Sequence, residues 1–114
     1  MEHIAKTSDI TIPNISIYAN GSIRFSRGVT EALHLGEGDT VSFYRDEINE
    51  GKWYLKRFNG NVELRRISRN ALEGCHRTFA AAFLNSLGEE MTKVTCKVNT
   101  KPNDDGMYAL ESVF

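Results

Sequence analysis

The stretch that decides the fold is GSIRFSRGVTEALHLGEGDTV, residues 21–41. Ile23 and Phe25 alternate with polar residues, which predicts a strand, and Ser26 suits the N-cap of a helix of about two turns. Its inward positions are Val29, Ala32 and Leu33. Gly36 is expected just past the helix end, and the Gly-Glu-Gly-Asp run beginning there reverses the chain into a strand that starts near Val41.

The residues before this stretch complete a hairpin. Residues 15–18 alternate apolar and polar, and an Asn-Gly pair follows. A three-residue loop, 19–21, places Ile15 and Ile17 opposite Phe25 and Ile23 on one apolar face, whereas a two-residue turn does not. We therefore predict the longer loop, with Gly21 in the left-handed conformation.

The remaining chain predicts two more hairpins and a second helix. Residues 41–43 and 52–56 read as one hairpin, and residues 93–99 and 107–114 as another. A turn at 59–61 precedes a short strand at 62–67. A helix over 69–87, closed by Gly88, is predicted from apolar residues spaced three and four apart, namely Leu72, Cys75, Phe79, Phe83 and Leu87.

The order of elements suggests an internal repeat. A shift of 54 residues pairs Phe25 with Phe79 and Tyr54 with Tyr108, and it also pairs Val29 with Phe83 and Leu33 with Leu87. Chance alignment of two helix-to-hairpin units is the alternative. The sequence therefore predicts one α+β domain over 1–114: a small barrel-like antiparallel sheet from two strand-helix-hairpin repeats, with one short and one longer helix. The halves are 15–58 and 62–114, and residues 1–14 are expected as a flexible arm or a weak edge segment.

The opening stretch resembles the swapped-hairpin domain of the AbrB/SpoVT type over about 15–55. The matching residues are Gly21, Ile23, Phe25, Val29, Leu33, Leu35, Glu37, Gly38, Asp39 and Val41. The resemblance implies two interlocked copies that build a small barrel, usually as a DNA-binding homodimer, or as a double-psi-type barrel when one chain carries both copies.

This chain departs from the family pattern where the family contacts DNA. The proline at the helix entry is replaced by Ser26, and the usual arginines are replaced by Ser22, Thr30 and Glu31. The resemblance therefore implies the fold, and it does not carry DNA contacts over to these positions.

Composition excludes several classes of protein. The net charge of −1, with 25% charged residues, is not that of a uniformly basic nucleic-acid coat protein. Two cysteines without a CxxC pair and a polar N-terminus indicate a cytoplasmic protein, and no apolar run approaches the ~20 residues of a membrane span. The charge is uneven, because residues 52–77 hold seven Lys and Arg against two Glu.

The candidate site is nucleic-acid-binding. Lys and Arg neutralise phosphates, and interleaved aromatic residues stack on bases. The candidate residues are Arg24, Arg27, Lys52, Lys56, Arg57, Arg65, Arg66, Arg69 and Arg77. The alternative is that Arg24 merely faces solvent from its strand and that the others form an ordinary charged sheet edge.

No pattern for catalysis, a metal or a cofactor is found. Cys75 and His76 lack further ligands, so Cys75 is expected as a buried structural thiol on the helix, and His34 suits a helix end. The acidic loop 46–50 lacks the spacing of a calcium loop. We therefore expect no enzyme but a DNA-binding or transcription-associated protein. The alternative is a protein-interaction or assembly module whose partner is another protein or a second copy of itself.

Overall fold

The computed structural model describes residues 13–48, 52–58, 60–69, 71–87 and 92–113. These residues contain nine strands and two helices. The strands are β1 (Asn14–Tyr18), β2 (Ser22–Ser26), β3 (Thr40–Arg45), β4 (Trp53–Arg57), β5 (Val62–Glu63), β6 (Arg65–Ser68), β7 (Ala71–Cys75), β8 (Lys93–Val98) and β9 (Tyr108–Val113). The helices are α1 (Arg27–Ala32) and α2 (Arg77–Leu87). The predicted α+β class, with one short and one longer helix, is confirmed.

The strands form one antiparallel sheet in the order β5-β3-β4-β9-β8-β1-β2-β7-β6. Its two ends are joined by Leu64, the residue between β5 and β6, which donates its N–H to the carbonyl of Asp39 at 2.9 Å and accepts from Gly38 at 2.8 Å. The segment from β5 to β6 therefore pairs with β3 at its start and with β7 at its end. This double pairing brings the sheet to a nearly closed barrel.

The first hairpin has the predicted register. Ile15 lies opposite Phe25 and Ile17 opposite Ile23, and all four side chains are fully buried. Gly21 has a φ of +100°, as the three-residue loop requires. The two later hairpins are also confirmed, as β3 with β4 and β8 with β9. The arm prediction lies outside the described residues, except that Asn14 already pairs with Lys97 in the sheet.

Helix α1 begins as predicted and ends differently. The Ser26 hydroxyl accepts the N–H of Val29 at 3.4 Å. At the other end, the left-handed residue is His34, with a φ of +57°, and not Gly36. The N–H of Leu35 reaches the carbonyl of Thr30 at 2.8 Å, which is the six-to-one bond of a Schellman motif.

The prediction of a helix from residue 69 is wrong, because residues 71–75 form β7 and the helix begins at Arg77. Leu72 is compatible with the helical spacing, and it is equally compatible with a strand, in which it lies opposite Phe25. Pairing on both sides, with β2 and with β6, satisfies the backbone of β7 and outweighs the helical periodicity. The predicted stop at Gly88 lies outside the described residues.

Two halves of similar topology build the barrel. Strand β7 and α2 repeat β2 and α1, β8 and β9 repeat β3 and β4, and the β5–β6 segment takes the place of β1. The halves interlock, because β1 pairs with β8 while β5 pairs with β3. The helix caps also correspond, since Nδ1 of His76 accepts the N–H of Phe79 at 3.1 Å just as Ser26 caps α1.

The uniform shift of 54 residues is wrong in detail. Phe25 lies in β2, whereas Phe79 lies inside α2. Matching the caps Ser26 and His76 aligns the two strand-to-helix junctions instead. Helix α2 has 11 residues against 6 in α1, so no single offset fits both the junctions and the hairpins that follow.

Aromatic packing holds α2 against the barrel. The rings of Phe43 and Phe79 stack with centroids 4.0 Å apart, and Trp53 meets Phe79 and Phe83 edge-on at 5.5 Å. Such pairs add about 0.5–1.5 kcal/mol each beyond area burial. Neither described helix is long and apolar enough to cross a membrane.

Candidate nucleic-acid interface

The nine cations predicted from the sequence separate in the fold. Lys52 precedes β4 and Lys56 lies on it, and β9, β8 and β1 stand between β4 and β2 in the sheet. Arg77 begins α2, where its side chain packs beside Gly21. Lys52 and Lys56 therefore lie on the β4 side of the barrel and Arg77 at the turn before β2, so the nine cations do not form one cluster.

Arg57 has a structural role. Its Nη1 donates to the carbonyl of Leu33 at 2.6 Å, and its guanidinium lies 4.9 Å from the ring centroid of Phe58. Leu33 is the C-cap of α1, whose last carbonyls lack partners within the helix. Arg57 thus ties β4 to the end of α1 and is not a free surface cation.

Arg24 and Arg65 share the outward side of the sheet. Both lie opposite Glu73, Arg24 from β2 and Arg65 from β6. Arg24 bonds this carboxylate through Nε at 3.2 Å, whereas Arg65 has no partner among the described residues. The row continues through Ser16 to Thr95, whose hydroxyls lie 2.9 Å apart.

Two lysines and a tyrosine extend this surface onto β8 and β1. Lys93 and Lys97 are exposed and alternate with buried Val94 and Cys96. Tyr18 lies between cations, because Lys93 Nζ is 5.3 Å and the Arg24 guanidinium 5.7 Å from its ring centroid. We call the outward residues of β8, β1, β2, β7 and β6 the basic face; its members used below are Arg24, Arg65, Lys93, Lys97 and Tyr18.

Sequence reasoning missed Tyr18, Lys93 and Lys97. Their signal was the strict alternation of each strand, which puts Lys93 and Lys97 on the same side of β8. The sequence does not reveal that β8 pairs with β1, and this pairing brings residues of the two halves together.

The basic face also carries acid groups. Glu73 is only 29% exposed and is held by Arg24. Glu63 of β5 lines one depression with Arg65 and Glu73, and Glu111 of β9 accepts from the amide of Asn99 at 3.1 Å. The basic face therefore carries four cations against two carboxylates, Glu63 and Glu73, an excess of positive charge that the net charge of −1 conceals.

The remaining three predicted arginines line a groove between α1 and β6. Arg27 begins α1, Arg66 lies on β6, and Arg69 follows β6. The groove has a volume of about 380 Å³, and its other lining residues are Thr30, Glu31 and Leu35. We call this set the arginine groove.

The prediction for Cys75 is wrong in place and burial. Cys75 ends β7 and is exposed, because the strand alternates and buries Leu72 and Gly74 instead. Cys96 is the buried thiol, and burial raises its pKa from 9.0 to about 12. His76 caps α2, and the described residues contain no cluster of three potential metal ligands.

The fold and its surfaces define a small α+β barrel with one basic face. Comparison with protein-family models, with curated proteins and with solved structures gives no match for this chain.

Proposed function

We propose that this protein binds DNA through the basic face, as a non-enzymatic, transcription-associated domain of the cytoplasm. The observation that carries the proposal is the register of β8, β1, β2, β7 and β6. It places Arg24, Arg65, Lys93 and Lys97 on the outer surface of the barrel, where the Tyr18 ring lies between Arg24 and Lys93. Phosphate neutralisation by such cations supplies most of the affinity of non-specific DNA binding.

The composition of the basic face supports this proposal. Ser16 and Thr95 add hydroxyls, and Tyr18 adds a ring between two cations. Hydroxyl and tyrosine side chains are common phosphate and sugar contacts.

The topology adds a second line of support. The resemblance to the AbrB/SpoVT type implied two interlocked halves, and here the halves of one chain interlock in one barrel. The positions that differ from the family arginines are Ser22 on β2 and Thr30 and Glu31 on α1. The proposed contacts therefore come from other residues of the same barrel.

The test is a titration of fluorescently labelled duplex and single-stranded DNA at about 50 mM and about 200 mM salt. We expect binding that weakens steeply as salt rises. The double variant Arg65→Ala/Lys97→Ala removes the two cations of the basic face that have no partner among the described residues. It should lower the salt slope by about 2, because each phosphate contact contributes about 0.9.

The matched control is Lys52→Ala/Lys56→Ala. It removes the same charge from the β4 side of the barrel and should leave the slope unchanged. Equal losses in the two double variants would mean that only net charge matters, and absence of binding at low salt would reject DNA binding altogether. A measured solution mass in the same experiment tests the interaction-module alternative, which expects a stable dimer without DNA affinity.

A further inference from the structure

We propose that the arginine groove is a phosphate-binding site, which adjoins the basic face at β6. Arg65 lies opposite Glu73 on the outward side of β6, whereas Arg66 lies opposite the core residue Leu72. All four residues of β6 are exposed, and Arg66 lines both the arginine groove and a neighbouring depression that it shares with Arg65 and Glu73.

Three guanidinium groups line the groove, and the bonds that they make to described residues use few of their donors. Arg27 holds Glu31 through Nε at 2.7 Å, and Arg66 reaches the carbonyl of Ser68 at 3.4 Å through one nitrogen. Arg69 has no bonded partner within the described part of the chain. Each guanidinium carries five N–H donors, so a bound anion would meet several of them at once.

The charge balance of the groove favours an anion. Three arginines face one carboxylate, Glu31, which is already paired. Guanidinium groups match the oxygens of a phosphate in bidentate geometry, which chloride cannot reproduce, so they bind phosphate better than they bind chloride. The excess of two positive charges corresponds to that of a phosphate dianion.

The groove has room for a small anionic group. Its volume of about 380 Å³ lies near the lower end of the range for small-molecule sites. Leu35 provides an apolar wall and is 7% exposed. A phosphate group with a short organic substituent fits this space, whether it is a free phosphate ester or a phosphate of a nucleic-acid chain.

The proposal does not depend on DNA binding by the basic face, so its first test uses pyrophosphate alone. Pyrophosphate is titrated into ¹⁵N-labelled full-length protein at constant ionic strength, and amide shifts are followed by NMR. We expect saturable shifts confined to α1 and β6. Arg69→Ala and Arg66→Ala should each weaken binding at least tenfold, whereas Arg69→Lys should lose less, because it keeps the charge and loses only the planar fork.

Lys101→Ala is the control, since it removes an exposed cation from the loop between β8 and β9. Thermal melts should show that all four variants remain folded. Equal weakening by Lys101→Ala, or no saturable shift near the groove, would overturn the proposal.

A competition experiment then identifies the source of the phosphate. If unlabelled duplex DNA displaces pyrophosphate from the groove, the site takes a backbone phosphate. If pyrophosphate stays bound in the presence of DNA, the site takes a small phosphate ester. Either result supports a phosphate site. Failure of the basic-face variants to alter DNA binding would reject the proposed function and leave the pyrophosphate result standing.

Discussion

The carbonyl of Gly21 accepts a hydrogen bond from the N–H of His76 at 2.9 Å, and this bond joins the two halves of the barrel. Gly21 belongs to the loop between β1 and β2, and His76 is the cap of α2. The first hairpin is thus fixed against the helix of the second half. A Cβ atom at residue 21 would lie 2.7 Å from Cγ and 3.1 Å from Cα of Arg77.

Replacing Gly21 with alanine should destabilise the protein more than backbone strain alone explains. Gly106 provides the matched control, because its φ of +77° is also positive while nothing lies within 4 Å of its added Cβ. We expect Gly106→Ala to lower the free energy of unfolding by about 1–2 kcal/mol, the cost of a left-handed alanine. Gly21→Ala should cost more, and urea denaturation measures both. Equal costs would show that Arg77 relaxes freely.

His34→Gly should stabilise the protein. His34 is exposed and holds a φ of +57° at the end of α1, where glycine has no Cβ penalty. We expect relief of the backbone strain to raise the free energy of unfolding by about 0.5–1 kcal/mol. The greater conformational entropy of glycine in the unfolded chain offsets part of this gain. His34→Ala keeps the strain and serves as the comparison. A loss of stability in the glycine variant would indicate that the imidazole makes a compensating contribution.

Glu73→Gln should strengthen DNA binding. The substitution removes the central carboxylate of the basic face and frees Arg24 for phosphate, so we expect severalfold tighter binding at low salt. The stability should fall by at most about 1 kcal/mol, because the ion pair with Arg24 is exposed. Glu47→Gln, an equal charge change in the loop after β3, should have little effect. Equal tightening by both would point to net charge alone.

Arg57→Gln should lower stability without changing DNA affinity. It breaks the bond to the Leu33 carbonyl, and hydrogen bonds from charged groups are worth about 1.5–3 kcal/mol. The neighbouring Lys56→Gln removes the same charge and should melt like the parent protein. Thermal melts and the DNA titration together check this. Weaker DNA binding by Arg57→Gln at unchanged stability would place Arg57 in the interface.

The two cysteines should differ in reactivity. Cys75 is exposed, whereas Cys96 is buried and has a pKa of about 12. A thiol reagent at about pH 8 should therefore modify one thiol in the folded protein and two in urea, since the thiolate is the reactive form. Cys75→Ser should abolish the native reaction. Fast labelling of that variant would mean that Cys96 becomes accessible without global unfolding.

The raised pKa of Cys96 predicts that the free energy of unfolding falls at high pH. The unfolded thiol ionises near 9.0, whereas the folded thiol stays protonated up to about 12, so unfolding releases a proton between these values. Raising the pH through this window favours the unfolded state, by up to about 1.4 kcal/mol per pH unit from this group. Cys96→Val should show a shallower decline than the parent protein. Identical slopes would contradict the assigned pKa.

The local elements were predictable where side-chain pattern and turn chemistry agree. Alternation around Asn20 and Gly21 determined the first hairpin and its register, and Ser26 determined where α1 begins. Strand β7 was not predictable in this way, because Leu72 fits a helical period as well as a strand. Only pairing with β2 and β6 decides between them, and those partners are distant in the sequence.

The candidate site was also predictable only in part. The sequence identified five arginines that come together, Arg24, Arg27, Arg65, Arg66 and Arg69, but it could not separate those of the basic face from those of the groove. It also grouped Arg57 and the β4 lysines with them because they are close in the chain. Distance along the chain is a poor guide to a barrel surface, where neighbouring strands come from different halves.

By itself, the sequence determined the α+β class, the three hairpins and the start of α1, because these depend on alternation, glycine conformation and capping within short segments. The tertiary structure alone decided that β5 and β6 close the sheet, that His34 ends α1, and that Tyr18, Lys93 and Arg24 meet. These features depend on hydrogen bonds and packing between residues far apart in the chain, and no local pattern records them.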